Sequence, residues 1–177
     1  MKKKILKALE IILYVILALV ICITLILKFH IFGLFIYKAE GTSNYPTVHN
    51  NDIWLAIKIN ENSTLNRFDV VGIDAANWND GLEKIMGNEA EKSYSKRIIG
   101  LPGEHVVMKD GRLYINDNEI EDKYAANVGF DFDVTLKDDE YFVLGDNRQN
   151  SLDSVLLGPV QRKAITDKRL FLVWRTE

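Results

Sequence analysis

From Ile11 to Leu27 the chain is apolar at every position except Tyr14, Cys22 and Thr24, and Ile5, Leu6, Ala8 and Leu9 lead into the run. A helix of about 20 such residues is roughly 30 Å long, the thickness of a bilayer's hydrocarbon core. Being apolar on all faces, it has no side to offer water, which argues against a core helix of a soluble domain. A cleaved leader would have a shorter apolar stretch and a small-residue exit; Leu25-Ile26-Leu27-Lys28-Phe29-His30 offers neither. The segment reads as a retained single-pass anchor. Lys2, Lys3, Lys4 and Lys7 precede it, against Lys28 and then Lys38 beyond. The positive-inside bias puts the N-terminus in the cytoplasm and everything after Lys28 outside. Two parts follow: 1–28, cytoplasmic tip and transmembrane helix, and 29–177, an extracytoplasmic domain. Phe29 to Tyr37 stays apolar and aromatic, suited to the membrane interface or to a first strand.

The outer part has a common size for one compact domain. The chain's single cysteine, Cys22, lies in the anchor, so no intramolecular disulfide is possible and packing alone must hold the domain. Residues 29–177 carry 17 basic and 24 acidic side chains, a net of −7. An acidic domain without a basic stripe is a poor nucleic-acid binder, because phosphate neutralisation supplies most of that affinity.

Beyond the anchor the apolar runs are short and rich in β-branched and aromatic residues. Ile53–Ile59, Phe68–Ile73, Ser93–Ile99, His105–Lys109, Arg112–Ile115, Glu140–Leu144 and Arg169–Arg175 read as strands. Asp110-Gly111 between alternating runs predicts a tight hairpin with positive φ at both turn residues. Residues 74–92 read as a surface excursion with room for a short helix, and 116–138 as loop-rich and acidic. The fold class is mostly β, with closed or packed antiparallel sheets, plus one N-terminal transmembrane α-helix.

Ser43, in Gly41-Thr42-Ser43-Asn44-Tyr45-Pro46-Thr47, is a candidate nucleophile. A serine hydroxyl is weak until a neighbouring base takes its proton. His49 is six residues on but has no obvious acid partner, so a Ser-His-Asp arrangement is a weak alternative. Lysine can replace histidine if its amine is desolvated enough to lose its charge. Lys96, opening the apolar run Ile98-Ile99-Gly100-Leu101, suits that role; the plainer reading is a surface lysine ending an edge strand. No metal-ligand spacing occurs, and neither a metal nor an organic cofactor is expected.

Three segments in order, the serine box, Lys96-Arg97-Ile98-Ile99-Gly100-Leu101-Pro102-Gly103-Glu104, and Gly145-Asp146-Asn147-Arg148-Gln149-Asn150-Ser151-Leu152-Asp153-Ser154, resemble the boxes of bacterial type I signal peptidases. The resemblance covers the chain from the anchor to about Gly158. It implies that Ser43 is the nucleophile and Lys96 the general base of a Ser-Lys dyad. It implies that the Ser43 N–H donates to the oxyanion, while the second donor is open because Gly41 stands where some members carry a hydroxyl. Ser151 would orient the lysine amine, and Arg97 with Asp146, and Asp153 nearby, would hold the strand ends in register. Val48 and Tyr94 would line shallow pockets for small residues before the cut.

Two positions depart from the family pattern. Asn44 replaces the usual methionine flanking a substrate pocket, and Val155 replaces the usual arginine partner of Asp153, leaving Arg148 or water to serve that carboxylate. The resemblance implies a membrane-bound serine endopeptidase that removes signal peptides from exported preproteins at the outer face of the cell membrane. Its partners would be signal peptides and membrane lipid, without nucleic acid or metal, and it would act as a monomer. The departures motivate a second reading, a signal-peptidase-like accessory protein that binds preproteins or pilins with little or no turnover. A self-cleaving Ser-Lys repressor would need a DNA-binding domain where the anchor lies.

Overall fold

The computed structural model describes residues 2–78, 93–125 and 129–176. Helix α1 runs from Lys2 to Ile31. Its span Leu9–Phe29 is 21 residues long with a mean hydropathy of 3.0, and none of it is buried in the protein. At about 1.5 Å per residue that length matches a bilayer core. The helix ends where Phe32 N–H returns to Lys28 O at 3.0 Å and Gly33 turns out at φ +67°, a conformation that costs glycine little. By internal contacts the chain falls into two units, Met1–Phe35 and Ile36–Glu177.

The second unit is built from antiparallel strands in two sheets. The larger sheet has the order β1-β2-β11-β3-β4-β9-β10, formed by β1 Leu34–Lys38, β2 Ile53–Lys58, β3 Val70–Asp74, β4 Ser93–Gly100, β9 Glu140–Leu144, β10 Val160–Gln161 and β11 Ile165–Trp174. The smaller has the order β7-β6-β5-β8, from β5 His105–Lys109, β6 Arg112–Ile115, β7 Asn118–Ile120 and β8 Phe132–Thr135. Among the described residues neither sheet closes on itself; they pack as a mostly β domain, as expected. Ile99, Phe142 and Leu144 from the larger sheet meet Val106, Met108, Leu113 and Ile115 from the smaller. A second cluster, with Val71, Ile73, Tyr94, Ile98 and Val143, lies on the large sheet beneath the short helices α2 Ala75–Trp78 and α3 Ser154–Leu157. Each such side chain, fully buried, contributes roughly 1.5–3 kcal/mol.

The seven strands read from the sequence all occur, β5, β6 and β9 with the expected ends and the others with ends shifted by a few residues. Asp110 and Gly111 take φ +49° and +74° and close Lys109 against Arg112. The acidic, loop-rich stretch 116–138 also holds two short strands, β7 and β8. Phe132 and Val134 turn inward while Asp133 and Thr135 face out, so half of β8 has loop composition for the ordinary reason that half of it meets water. Asn116 and Asp117, at φ +49° and +66°, form a second two-residue hairpin turn without glycine. Helix α2 is the short helix expected after 74; residues 79–92 lie outside the described set.

Candidate active site

Ser43 sits in a loop between β1 and β2 whose base is closed by two backbone bonds, Ala39 N to Asp52 O at 2.8 Å and Asn51 N to Ala39 O at 2.7 Å. Inside it, Tyr45 N reaches Thr42 O and Val48 N reaches Asn44 O. The turn after β9 grips the loop from one side. Asn147 N–H donates to Ser43 O at 3.0 Å, its side-chain amide to Thr42 O at 3.2 Å, and Asn150 Nδ2 to Thr42 Oγ1 at 3.3 Å.

Lys96 lies in the body of β4, opposite Val71 of β3. It is not a surface lysine: only 2% of the residue is exposed. Its Nζ lies 3.0 Å from Ser43 Oγ and 5.4 Å from the Tyr94 ring centroid. Such burial disfavours an ammonium and favours the neutral amine that a base must be. No histidine takes this place; His49 uses its backbone N–H on Asp52 Oδ2 at 2.9 Å and stacks on Tyr45.

The supporting residues are drawn together around these two. Arg97 Nε and Nη2 donate to the two Asp146 oxygens at 2.6 Å each, and Nη1 to Phe68 O at 2.7 Å. Asp153 Oδ2 accepts from Gly145 N at 3.0 Å, and Oδ1 accepts from Val155 N at 3.2 Å, capping α3. Burial pushes its carboxyl above the usual range, opposed by the Gly145 N–H and by the Ser151 hydroxyl. Arg148 does not serve Asp153. It pairs instead with Asp122 at 2.7 Å, both side chains almost fully buried. Backbone donors and the Ser151 hydroxyl serve this carboxylate, with Val155 standing where the family pattern has arginine.

Ser151 is beside this cluster, its hydroxyl acting on the Asp153 carboxyl. Gly145 explains the tight fit: a Cβ there would come within 2.2 Å of Ser151 Oγ and 2.4 Å of Ser43 O. Gly41, at φ +83°, gives its N–H to Asn50 Oδ1 at 3.1 Å. Asn44, Val48 and Tyr94 are all buried. Tyr94 packs edge-on against Trp78 in the core. Asn44 is a cross-brace: its Nδ2 donates to Ser95 O at 2.8 Å, and its Oδ1 accepts from Asp146 N at 3.4 Å.

A serine hydroxyl joined to a buried amine is the arrangement of Ser-Lys hydrolases, in which lysine does the work of a triad histidine. Residues 9–174 match the family model described as signal peptidase, peptidase S26. Signal peptidase I S of Bacillus subtilis (strain 168) is 36% identical over 151 residues, covering 77% of this chain and 74% of that protein. Signal peptidase I of Bacillus licheniformis is 35% identical over 169 residues, covering 88% and 84%. A crystal structure of a signal peptidase I from Enterococcus faecalis V583 is 30% identical, covers 58% of this chain and 94% of that one, and superposes with a TM-score of 0.47. The chain belongs to the signal peptidase family, peptidase S26. With its apolar N-terminal helix it is a membrane-anchored member.

Proposed function

We propose that the chain is a membrane-bound serine endopeptidase that removes N-terminal signal peptides from exported preproteins, with Ser43 as nucleophile and Lys96 as general base. The observation that carries this assignment is the 3.0 Å approach of Lys96 Nζ to Ser43 Oγ at a residue 2% exposed. In acylation, the neutral amine takes the hydroxyl proton as Oγ attacks the scissile carbonyl carbon. The resulting ammonium then protonates the leaving amine, and the mature N-terminus departs. In deacylation, Lys96 takes a proton from water as its oxygen attacks the ester carbonyl, and returns it to Ser43. Such proton transfer contributes typically 10²–10⁴-fold, about 3–5 kcal/mol of barrier. The Ser43 N–H is an oxyanion donor in this scheme.

The lysine-rich start of α1 supports an N-terminus in the cytoplasm and a catalytic unit outside. Ser43 follows the apolar span Leu9–Phe29 by only 14 residues, a reason to expect action near the lipid surface, where a preprotein's cleavage site emerges. The test is incubation of the purified protein in detergent with one preprotein, followed by sequencing of the new N-terminus. One defined cut, lost in Ser43→Ala and in Lys96→Ala, is the expected result. Stoichiometric binding without cleavage would favour the accessory-protein reading instead.

A further inference from the structure

The serine loop is held on a second side, by residues that follow β11. Arg175 Nη2 donates to Thr47 O at 3.1 Å and to Asp52 Oδ2 at 3.2 Å, and Thr176 Oγ1 donates to Asn50 O at 3.2 Å. Asp52 is completely buried. Among the described residues Arg175 is the only cation within ion-pairing distance of it. The same Oδ2 accepts from His49 N–H. Although burial works the other way, the His49 N–H and Arg175 hold the Asp52 carboxyl below the usual aspartate range. The guanidinium therefore reaches the loop twice, at the carbonyl four residues past Ser43 and at the carboxylate beside the loop's base. Both Arg175 and Thr176 lie just outside the family-matched span, which ends at 174.

We propose that Arg175 is a positioning residue for the nucleophile: by clamping Thr47 and Asp52 it fixes the side of the Ser43 loop that the Asn147 turn does not hold. This rests on Ser43 being the nucleophile. Lys96 is set by strand pairing on β4 and cannot follow a drifting loop, so a loop shift lengthens the Lys96–Ser43 contact directly. Losing Arg175 also leaves the buried Asp52 carboxylate unpaired, which lowers stability, but the loop does not depend on Arg175 alone. Its side chain is 42% exposed, and the base of the loop is closed independently by the Ala39–Asp52 and Asn51–Ala39 backbone bonds.

The test uses the full chain in detergent, with single-turnover and steady-state cleavage of one preprotein beside thermal melting. Compared with wild type at equal folded concentration, Arg175→Ala is expected to lower kcat about 10–100-fold, the scale of a misplacement near 1 Å, with KM little changed. Arg175→Lys, which keeps the charge without the two-acceptor reach, should recover part of the loss. In an Asp52→Asn background the effect of Arg175→Ala should shrink, because the pair is one unit. An unchanged kcat, a loss explained by lowered melting, or strict additivity with Asp52→Asn would each overturn the proposal. Failure of the underlying reading looks different: there Ser43→Ala would cleave as well as wild type.

Discussion

Arg97 and Asp146 face each other in a two-pronged ion pair, with both donor–acceptor distances at 2.6 Å. The residue after Lys96 is thereby joined to the residue before Asn147, whose N–H holds the Ser43 carbonyl. Strand β4 and the turn beyond β9 cannot separate without breaking this pair. Lysine strand, serine loop and Gly-Asp turn thus form one connected frame.

Removing one side of that pair is expected to be expensive. The Asp146 side chain is fully buried and that of Arg97 is 13% exposed. Arg97→Met strands a buried carboxylate and should lower unfolding free energy by about 3–5 kcal/mol. Arg97→Met with Asp146→Leu should restore much of the stability by removing both charges. Denaturant titration of the two variants checks this, and equal stability of both would contradict it.

Gly145 gives a sharper link between backbone and chemistry. Its absent side chain makes room for Ser43 O and Ser151 Oγ. Gly145→Ala should displace the serine loop and cut cleavage at least 10²-fold, the expected cost of a shift near 1 Å at the reacting group. Preprotein cleavage at matched folded fraction is the measurement.

Acid should weaken the domain through Glu104. Burial opposes its charge, but Arg67, at 2.6 and 2.8 Å, and the Leu101 N–H overcome that and hold the carboxyl below the usual glutamate range. A carboxylate depressed in the fold contributes stability that is complete above its unfolded value and is lost as pH falls through its lower folded value. Asp153 works with the opposite sign. Raised by burial, it protonates first in the fold, so its buried charge costs stability near neutrality and that cost is relieved on acidification. Glu104→Gln should therefore flatten the acid limb of stability against pH, whereas Asp153→Asn should not. Urea midpoints across the acid range test the difference.

The anchor, the seven main strands and the Asp110-Gly111 turn were legible because each rests on a local pattern: an unbroken apolar run, alternation, or a residue pair suited to positive φ. Strands β7 and β8 were not, since short half-exposed strands share the composition of loops and gain their identity from pairing with β6 and β5. The three boxes foretold that Ser43, Lys96, Arg97, Asp146 and Asp153 would gather. What they could not convey is who bonds to whom. Arg148 goes to Asp122, Asn44 braces β4, and Arg175 crosses from the far end of the chain to Asp52; these depend on long-range packing that leaves no local pattern.

The central claim is that the buried amine of Lys96 takes the Ser43 proton, and Lys96→Met tests it most directly. Methionine fills the same buried volume without an amine, so the variant should melt no lower than wild type. Single-turnover cleavage of a preprotein, compared at equal folded concentration, is predicted to fall to the level of Ser43→Ala. Cleavage at the wild-type rate would contradict the account.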